Sequence, residues 1–155
     1  MKTEINFRDL KKNYDKKIVR KLKDMSNSFK NQHVKGNPLL YTVYTKDYGT
    51  FEITLTVIEP GNVNGEFYMT KGHRHLKNRE EIYILVSGKG KIFIQKKGSK
   101  AVEMKKDKIY TVSGKAGHRA INTGNGKLEF LSIYSKDAGH NYHVKFKKRF
   151  FKNKK

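Results

Sequence analysis

The sequence predicts an all-β barrel or sandwich preceded by a single helix. Three observations carry this reading. From Leu39 onward apolar residues recur with a period of two, glycine-bearing turns separate the runs at short intervals, and only residues 7–25 show helical spacing. Successive side chains of a strand point to opposite faces, so a period of two marks a ribbon buried on one side. Many short strands with turn signals between them close into a barrel or stack as a sandwich.

The elements follow in order. Leu10, Tyr14, Ile18 (or Val19), Leu22 and Met25 fall near i, i+4, i+8 with lysines between, which predicts a basic amphipathic helix over 7–25. The polar, turn-rich stretch from Ser26 to Pro38 reads as a surface linker, so residues 1–38 form a basic helix and linker ahead of the barrel. Residues 39–46, rich in Tyr, Thr and Val, predict the first strand, and Asp47-Tyr48-Gly49 the turn after it. Phe51, Ile53, Leu55 and Val57 alternate with Glu52, Thr54 and Thr56, and Pro60-Gly61 ends that strand. Further strands are expected over 66–71, 81–87, 90–96, 101–104, 108–112, 119–122 and 128–134. The barrel thus spans 39–143, and 144–155 is a basic, aromatic tail that packs as a last strand or frays.

Composition narrows the functional classes. A chain of 155 residues is one domain with room for a core. Cysteine is absent, which excludes disulfides and thiolate metal sites and fits a reducing compartment. No apolar stretch approaches bilayer length, and Met-Lys-Thr-Glu-Ile-Asn lacks the apolar core of a signal peptide; a cytoplasmic protein with no membrane partner is expected. The formal charge is +21, from 35 Lys and Arg against 14 Asp and Glu. Such a field draws polyanions. Without a helix-turn-helix, zinc-knuckle or RNA-binding signature, nucleic acid is expected to bind only nonspecifically, through the basic surface.

One constellation carries chemistry. In a strand, His73 and His75 of His-Arg-His point the same way; Glu81 opens a later apolar strand and His118 another. Three imidazoles and a carboxylate can therefore converge on one divalent cation, and the set suits Fe²⁺, Mn²⁺, Ni²⁺, Zn²⁺ or Co²⁺. Glu80 stands beside Glu81 as a rival ligand. Glu81 is favoured because it shares a strand face with Tyr83.

These residues also carry a resemblance. Gly72-His73-Arg-His75, then Glu81, six residues and Gly88 resemble the first motif of the cupin superfamily. Gly114-Lys-Ala-Gly-His118, three residues and Asn122 resemble the second. Thr56-Val-Ile-Glu-Pro60-Gly61, Thr70-Lys71-Gly72-His73-Arg-His75 and Asp137-Ala-Gly-His140-Asn-Tyr142 are similar, more specifically, to the cupin-type phosphoglucose isomerases of archaea. The likeness runs from about 39 to 142.

The resemblance implies a single cupin barrel (a double-stranded β-helix, or jelly roll). It implies interconversion of glucose 6-phosphate and fructose 6-phosphate with one divalent metal, Fe²⁺ foremost. His73, His75, Glu81 and His118 would hold the metal; Thr56, Thr70 and Gly72 would contact the sugar phosphate, the last two near its phosphate; Tyr41, Tyr83, Tyr134, His140 and Tyr142 would line the pocket. Glu81, Tyr83 and His140 are the candidates for moving protons, and an ene-diol route and a hydride shift both stay open. The chain departs from the pattern in three places. The interval between His75 and Glu81 is one residue short, Ser113-Gly114 replace the usual prolines, and the C-terminus is short. Two other readings use the same residues: another metal-dependent cupin enzyme, such as a dioxygenase or decarboxylase, and a non-catalytic basic module that binds polyanions. The stripe Leu10/Tyr14/Ile18/Leu22 needs cover, for which a homodimer is the simplest closed solution.

Overall fold

The computed structural model describes residues 4–31, 33 and 35–153. Residues 1–3, 32 and 34 of the expected N-terminal segment and 154–155 of the tail lie outside the described residues. Strands dominate the chain: β1 (Lys16–Lys21), β2 (Leu39–Asp47), β3 (Phe51–Ile58), β4 (Asn62–Val63), β5 (Glu66–Phe67), β6 (Glu81–Ser87), β7 (Gly90–Gln95), β8 (Ser99–Glu103), β9 (Ile109–Val112), β10 (Gly117–Asn122) and β11 (Leu128–Ser135). They form a six-stranded sheet ordered β1-β2-β3-β11-β6-β9, a three-stranded sheet ordered β10-β7-β8, and the β4-β5 hairpin. Every strand pairing is antiparallel. Isolated bridges, Met69 to Ile121 and His73 to His118, lay residues 69–73 along β10 and widen the smaller sheet.

Alternation decides what each strand buries. Leu40, Ile58, Phe93, Ile121 and Leu128 are fully enclosed in one core to which both sheets contribute. Thr54 and Thr56 of β3 face a cavity on that inner side, whereas Ile53, Leu55 and Val57 face outward and pack with Leu10. The Thr54 and Ser132 hydroxyls bond across β3 and β11 at 2.6 Å, so the inner wall carries polar groups that satisfy one another. Asn122 donates to the carbonyls of Ile58, Glu59 and Gly126, tying the barrel floor together.

The N-terminal helix expected over 7–25 does not form. Its place is taken by a 3₁₀ turn (Phe7–Lys11), strand β1 and a second 3₁₀ segment (Leu22–Ser28). The apolar positions 10, 14, 18 and 22 are spaced by four, a step that keeps one face both in a helix, where it is about one turn, and in a strand. Pairing with β2 in the register Lys16↔Thr45 to Arg20↔Tyr41 selects the strand, which suits the β-branched Ile18-Val19 pair. The lysines of β1 then serve as the charged rim of a sheet edge. Leu10 and Leu22 are buried in this chain's own barrel, so the stripe that argued for a dimer is largely covered from within. The linker is also more than a surface loop, since Met25 and Phe29 are 2 % exposed.

The tail packs. Phe146 and Phe150 lie against Phe93 with ring centroids 6.0 and 5.3 Å away, and Phe67 and Lys152 N–H groups donate to the carbonyls of Phe150 and Gly65. Arg149 reaches the buried Glu66 carboxylate at 3.0 Å.

Candidate metal and substrate site

Three segments deliver four ligand atoms to one point. His73 and His75 lie on the strand-like run beside β10, Glu81 opens β6, and His118 lies near the start of β10. One ligand atom from each falls within 4.8 Å of the others. The Nε2 atoms of His73, His75 and His118 lie 3.4, 3.1 and 3.0 Å from Glu81 Oε2. Glu81 is 2 % exposed, whereas Glu80 is exposed, so the carboxylate that faces the imidazoles is Glu81 despite the shortened interval. Gly114 lets the short turn close: a Cβ there would stand 2.1 Å from the Arg79 carbonyl oxygen. The His75 N–H donates to the Gly114 carbonyl at 2.7 Å.

Hydrogen bonding tests whether a cation fits. The other ring nitrogens of His75 and His118 face the backbone carbonyls of Arg79 and Ala116. A carbonyl only accepts, so in the neutral rings Nδ1 carries the proton and Nε2 offers a lone pair. Two such lone pairs then point at a carboxylate oxygen 3.0–3.1 Å away, an arrangement that repels unless a positive charge lies between. Among the described residues the buried Nε2 of His73 has no hydrogen-bond partner. Three neutral nitrogens and one carboxylate, with no thiolate, are the donor set of a first-row divalent metal.

A cavity of about 160 Å³ opens over these atoms. It receives every residue that the sequence proposed for substrate and proton transfer: Tyr41, Thr56, Thr70, Gly72, Tyr83, Tyr134, His140 and Tyr142 line it. Burial pushes the phenols of Tyr83 and Tyr134 up, helped by Glu81 beside Tyr83 and Glu52 beside Tyr134, so both keep their protons. Burial and the neighbouring imidazoles bring His140 down to about 4, leaving it neutral. Its ring is stacked on Tyr142, with centroids 5.9 Å apart. Thr70 Oγ1 accepts the Ala120 N–H at 3.0 Å, which frees its own hydrogen for an acceptor in the cavity. Gly72 has φ +77 and no room for a side chain, with Phe146 and the His118 carbonyl pressed against it. Arg119, buried at 7 % exposure, donates to the Lys71 carbonyl at 2.7 Å and lies over the Phe146 ring. It clamps the Thr70–Gly72 segment from behind.

Lys16, Arg20 and Glu52 also line the cavity and were not singled out from the sequence. The signal existed in the even-numbered series Lys16, Ile18, Arg20, but a helix reading of that segment hides a strand face.

Fold and site together define a cupin barrel with four residues inside it that could hold a metal ion. Similar folds occur in an oxalate decarboxylase variant from Bacillus subtilis (TM-score 0.53, 24 % identity, 65 % of this chain and 27 % of that one). An oxalate oxidase is similar as well (TM-score 0.54, 12 % identity, 64 % of this chain and 53 % of that one). At these identities the likeness speaks to the fold alone. The glucose-6-phosphate isomerase (GPI) family model matches residues 3–152, and the chain belongs to that family. The glucose-6-phosphate isomerase of Thermococcus litoralis is 38 % identical over 150 residues, 88 % of this chain and 79 % of that protein. That of Pyrococcus horikoshii is 36 % identical over the same shares.

Proposed function

We propose that this protein interconverts glucose 6-phosphate and fructose 6-phosphate in a metal-dependent aldose–ketose isomerisation. The observation that carries the reading is the convergence of His73, His75, Glu81 and His118 beneath a cavity whose wall offers neutral donors for a phosphate. A bound divalent cation, Fe²⁺ by preference, would polarise the C1 and C2 oxygens of the open-chain sugar. Thr70 and the Gly72 N–H bind the phosphate; glycine allows its close approach. Glu81 takes the proton from one carbon and returns it to the next, with Tyr83 as the protonated neighbour that hydrogen-bonds a substrate oxygen. His140, neutral and stacked on Tyr142, takes the hydroxyl proton from one substrate oxygen and returns it to the other, which was the carbonyl. Family membership and the donor set support these roles. The test is His75→Ala and Glu81→Gln: both lose bound metal by elemental analysis and lose isomerisation, while circular dichroism stays that of the wild type. Activity retained in metal-free, folded variants rejects the proposal.

A homodimer fits the apolar outer face of β6 and β9, where Ile84 pairs with Ile109 and Ile109 is 69 % exposed. Sedimentation equilibrium of Ile109→Glu against the wild type tests it. Among the described residues no helix is long and apolar enough to cross a membrane.

A further inference from the structure

Strand β1 gives the cavity a wall with a charge that the substrate lacks elsewhere. Its alternation places Ile18 and Arg20 on the inner side, while Lys17, Val19 and Lys21 are exposed. The neutral donors Thr70 and Gly72 leave a phosphate dianion without a counter-charge, and moving a dianion from water into a half-enclosed cavity demands one. Lys71, between them in sequence, does not line the cavity; its ammonium lies 5.5 Å from the centre of the Tyr142 ring.

Arg20 stands at the right end. Its register partner is Tyr41, whose hydroxyl accepts the Lys71 N–H at 3.2 Å, which ties this end of β1 to the Thr70–Gly72 segment. Arg20, Tyr41 and Tyr142 line the same cavity, and the Arg20 charge draws both phenols down against the upward pull of burial. Among the described residues Arg20 makes no ion pair, although it is half-buried. The other cation of the wall, Lys16, pairs with Thr45 four residues back, roughly 13 Å along the strand and away from Tyr41.

Building on the isomerase reading, we propose that Arg20 is the phosphate-binding cation of this cavity and makes it select phosphorylated over neutral sugars. A guanidinium presents two parallel N–H groups to two phosphate oxygens, a match that an ammonium lacks. Arg20 would therefore contact the substrate from the strand facing Thr70 and Gly72.

The test measures equilibrium binding of inorganic phosphate and of glucose 6-phosphate by calorimetry on chelator-treated protein, then KM and kcat on metal-loaded protein. The variants are Arg20→Met, Arg20→Lys and, on the exposed face, Lys17→Met. Arg20→Met is expected to weaken both ligands roughly 10- to 100-fold, with KM rising more than kcat falls. Arg20→Lys should recover part of the loss, and Lys17→Met should match the wild type. Should Arg20→Met not fold, Arg20→Lys and Arg20→Gln provide the comparison. Unchanged phosphate affinity in folded Arg20 variants overturns the proposal, as does a wild type that binds neither ligand. Phosphate bound through Arg20 by a wild type that isomerises nothing sinks the isomerase reading and leaves Arg20 as an anion site.

Discussion

Replacing Gly72 by alanine tests the close packing behind the substrate cavity. Gly72 has φ +77, and a Cβ there would sit 2.6 Å from the Phe146 ring and 2.9 Å from the His118 carbonyl oxygen. The left-handed backbone costs a side chain about 1–2 kcal/mol. Forcing a methyl group into a packed site adds about 1–3 kcal/mol. The His118 oxygen cannot give way, because it accepts the His73 N–H at 3.0 Å in the bridge that aligns two metal-ligand candidates. The combined loss, about 2–5 kcal/mol, lowers Tm by about 4–20 °C at this chain length. Gly49→Ala is the internal control: φ is +90, but nothing lies within 4 Å of the added carbon, so only the backbone contribution is lost. Thermal unfolding by circular dichroism should place Gly72→Ala well below Gly49→Ala. KM for the sugar phosphate should rise in Gly72→Ala alone. Two variants melting within about 2 °C of each other, with equal KM, would refute the packing argument.

Three other changes probe separate supports. Arg119→Met removes the 2.7 Å bond to the Lys71 carbonyl; it should cost about 1–2 kcal/mol in urea unfolding and raise KM severalfold more than it lowers kcat. Among the described residues, Arg149→Met leaves the buried Glu66 carboxylate with only the Lys30 N–H as hydrogen-bond partner, so a loss of about 3 kcal/mol and release of the tail to limited proteolysis are expected. Asp137 is held well below the usual carboxylate range by Arg79, Ser135 and Lys77. A depressed folded pKa means that this stabilisation is full above the unfolded value, about 3.9, and fades as the pH falls below it. The gap in urea midpoint between wild type and Asp137→Asn should therefore be present at pH 7 and narrow by pH 3; a constant gap contradicts the assignment.

Local patterning explains what the sequence revealed. The His73-Arg-His75 string, Glu81 with Tyr83, and His118 each obey strand alternation, so their convergence could be read without knowing how the strands pair. The position of Glu81 beside the imidazoles needed the structure, because Glu80 and Glu81 differ only in which face of the chain they occupy. Strand β1 was not legible for a different reason. Its four-residue apolar spacing is common to helix and strand, and only pairing with β2 distinguishes them. Reading it as a helix conceals Arg20 and Lys16 from the cavity and leaves an apolar stripe without cover. The role of the tail was hidden likewise, since the contacts of Phe146 with Gly72 and Arg119 join residues distant in sequence.

The most direct test of the central claim is a coupled assay for glucose 6-phosphate formation from fructose 6-phosphate, run on chelator-stripped protein and on the same protein resupplied with Fe²⁺, Mn²⁺ or Ni²⁺. The account predicts negligible turnover after stripping, recovery on adding metal, and no recovery in folded His118→Ala. Full activity in the stripped enzyme, or metal-restored activity in His118→Ala equal to that of the wild type, would contradict it.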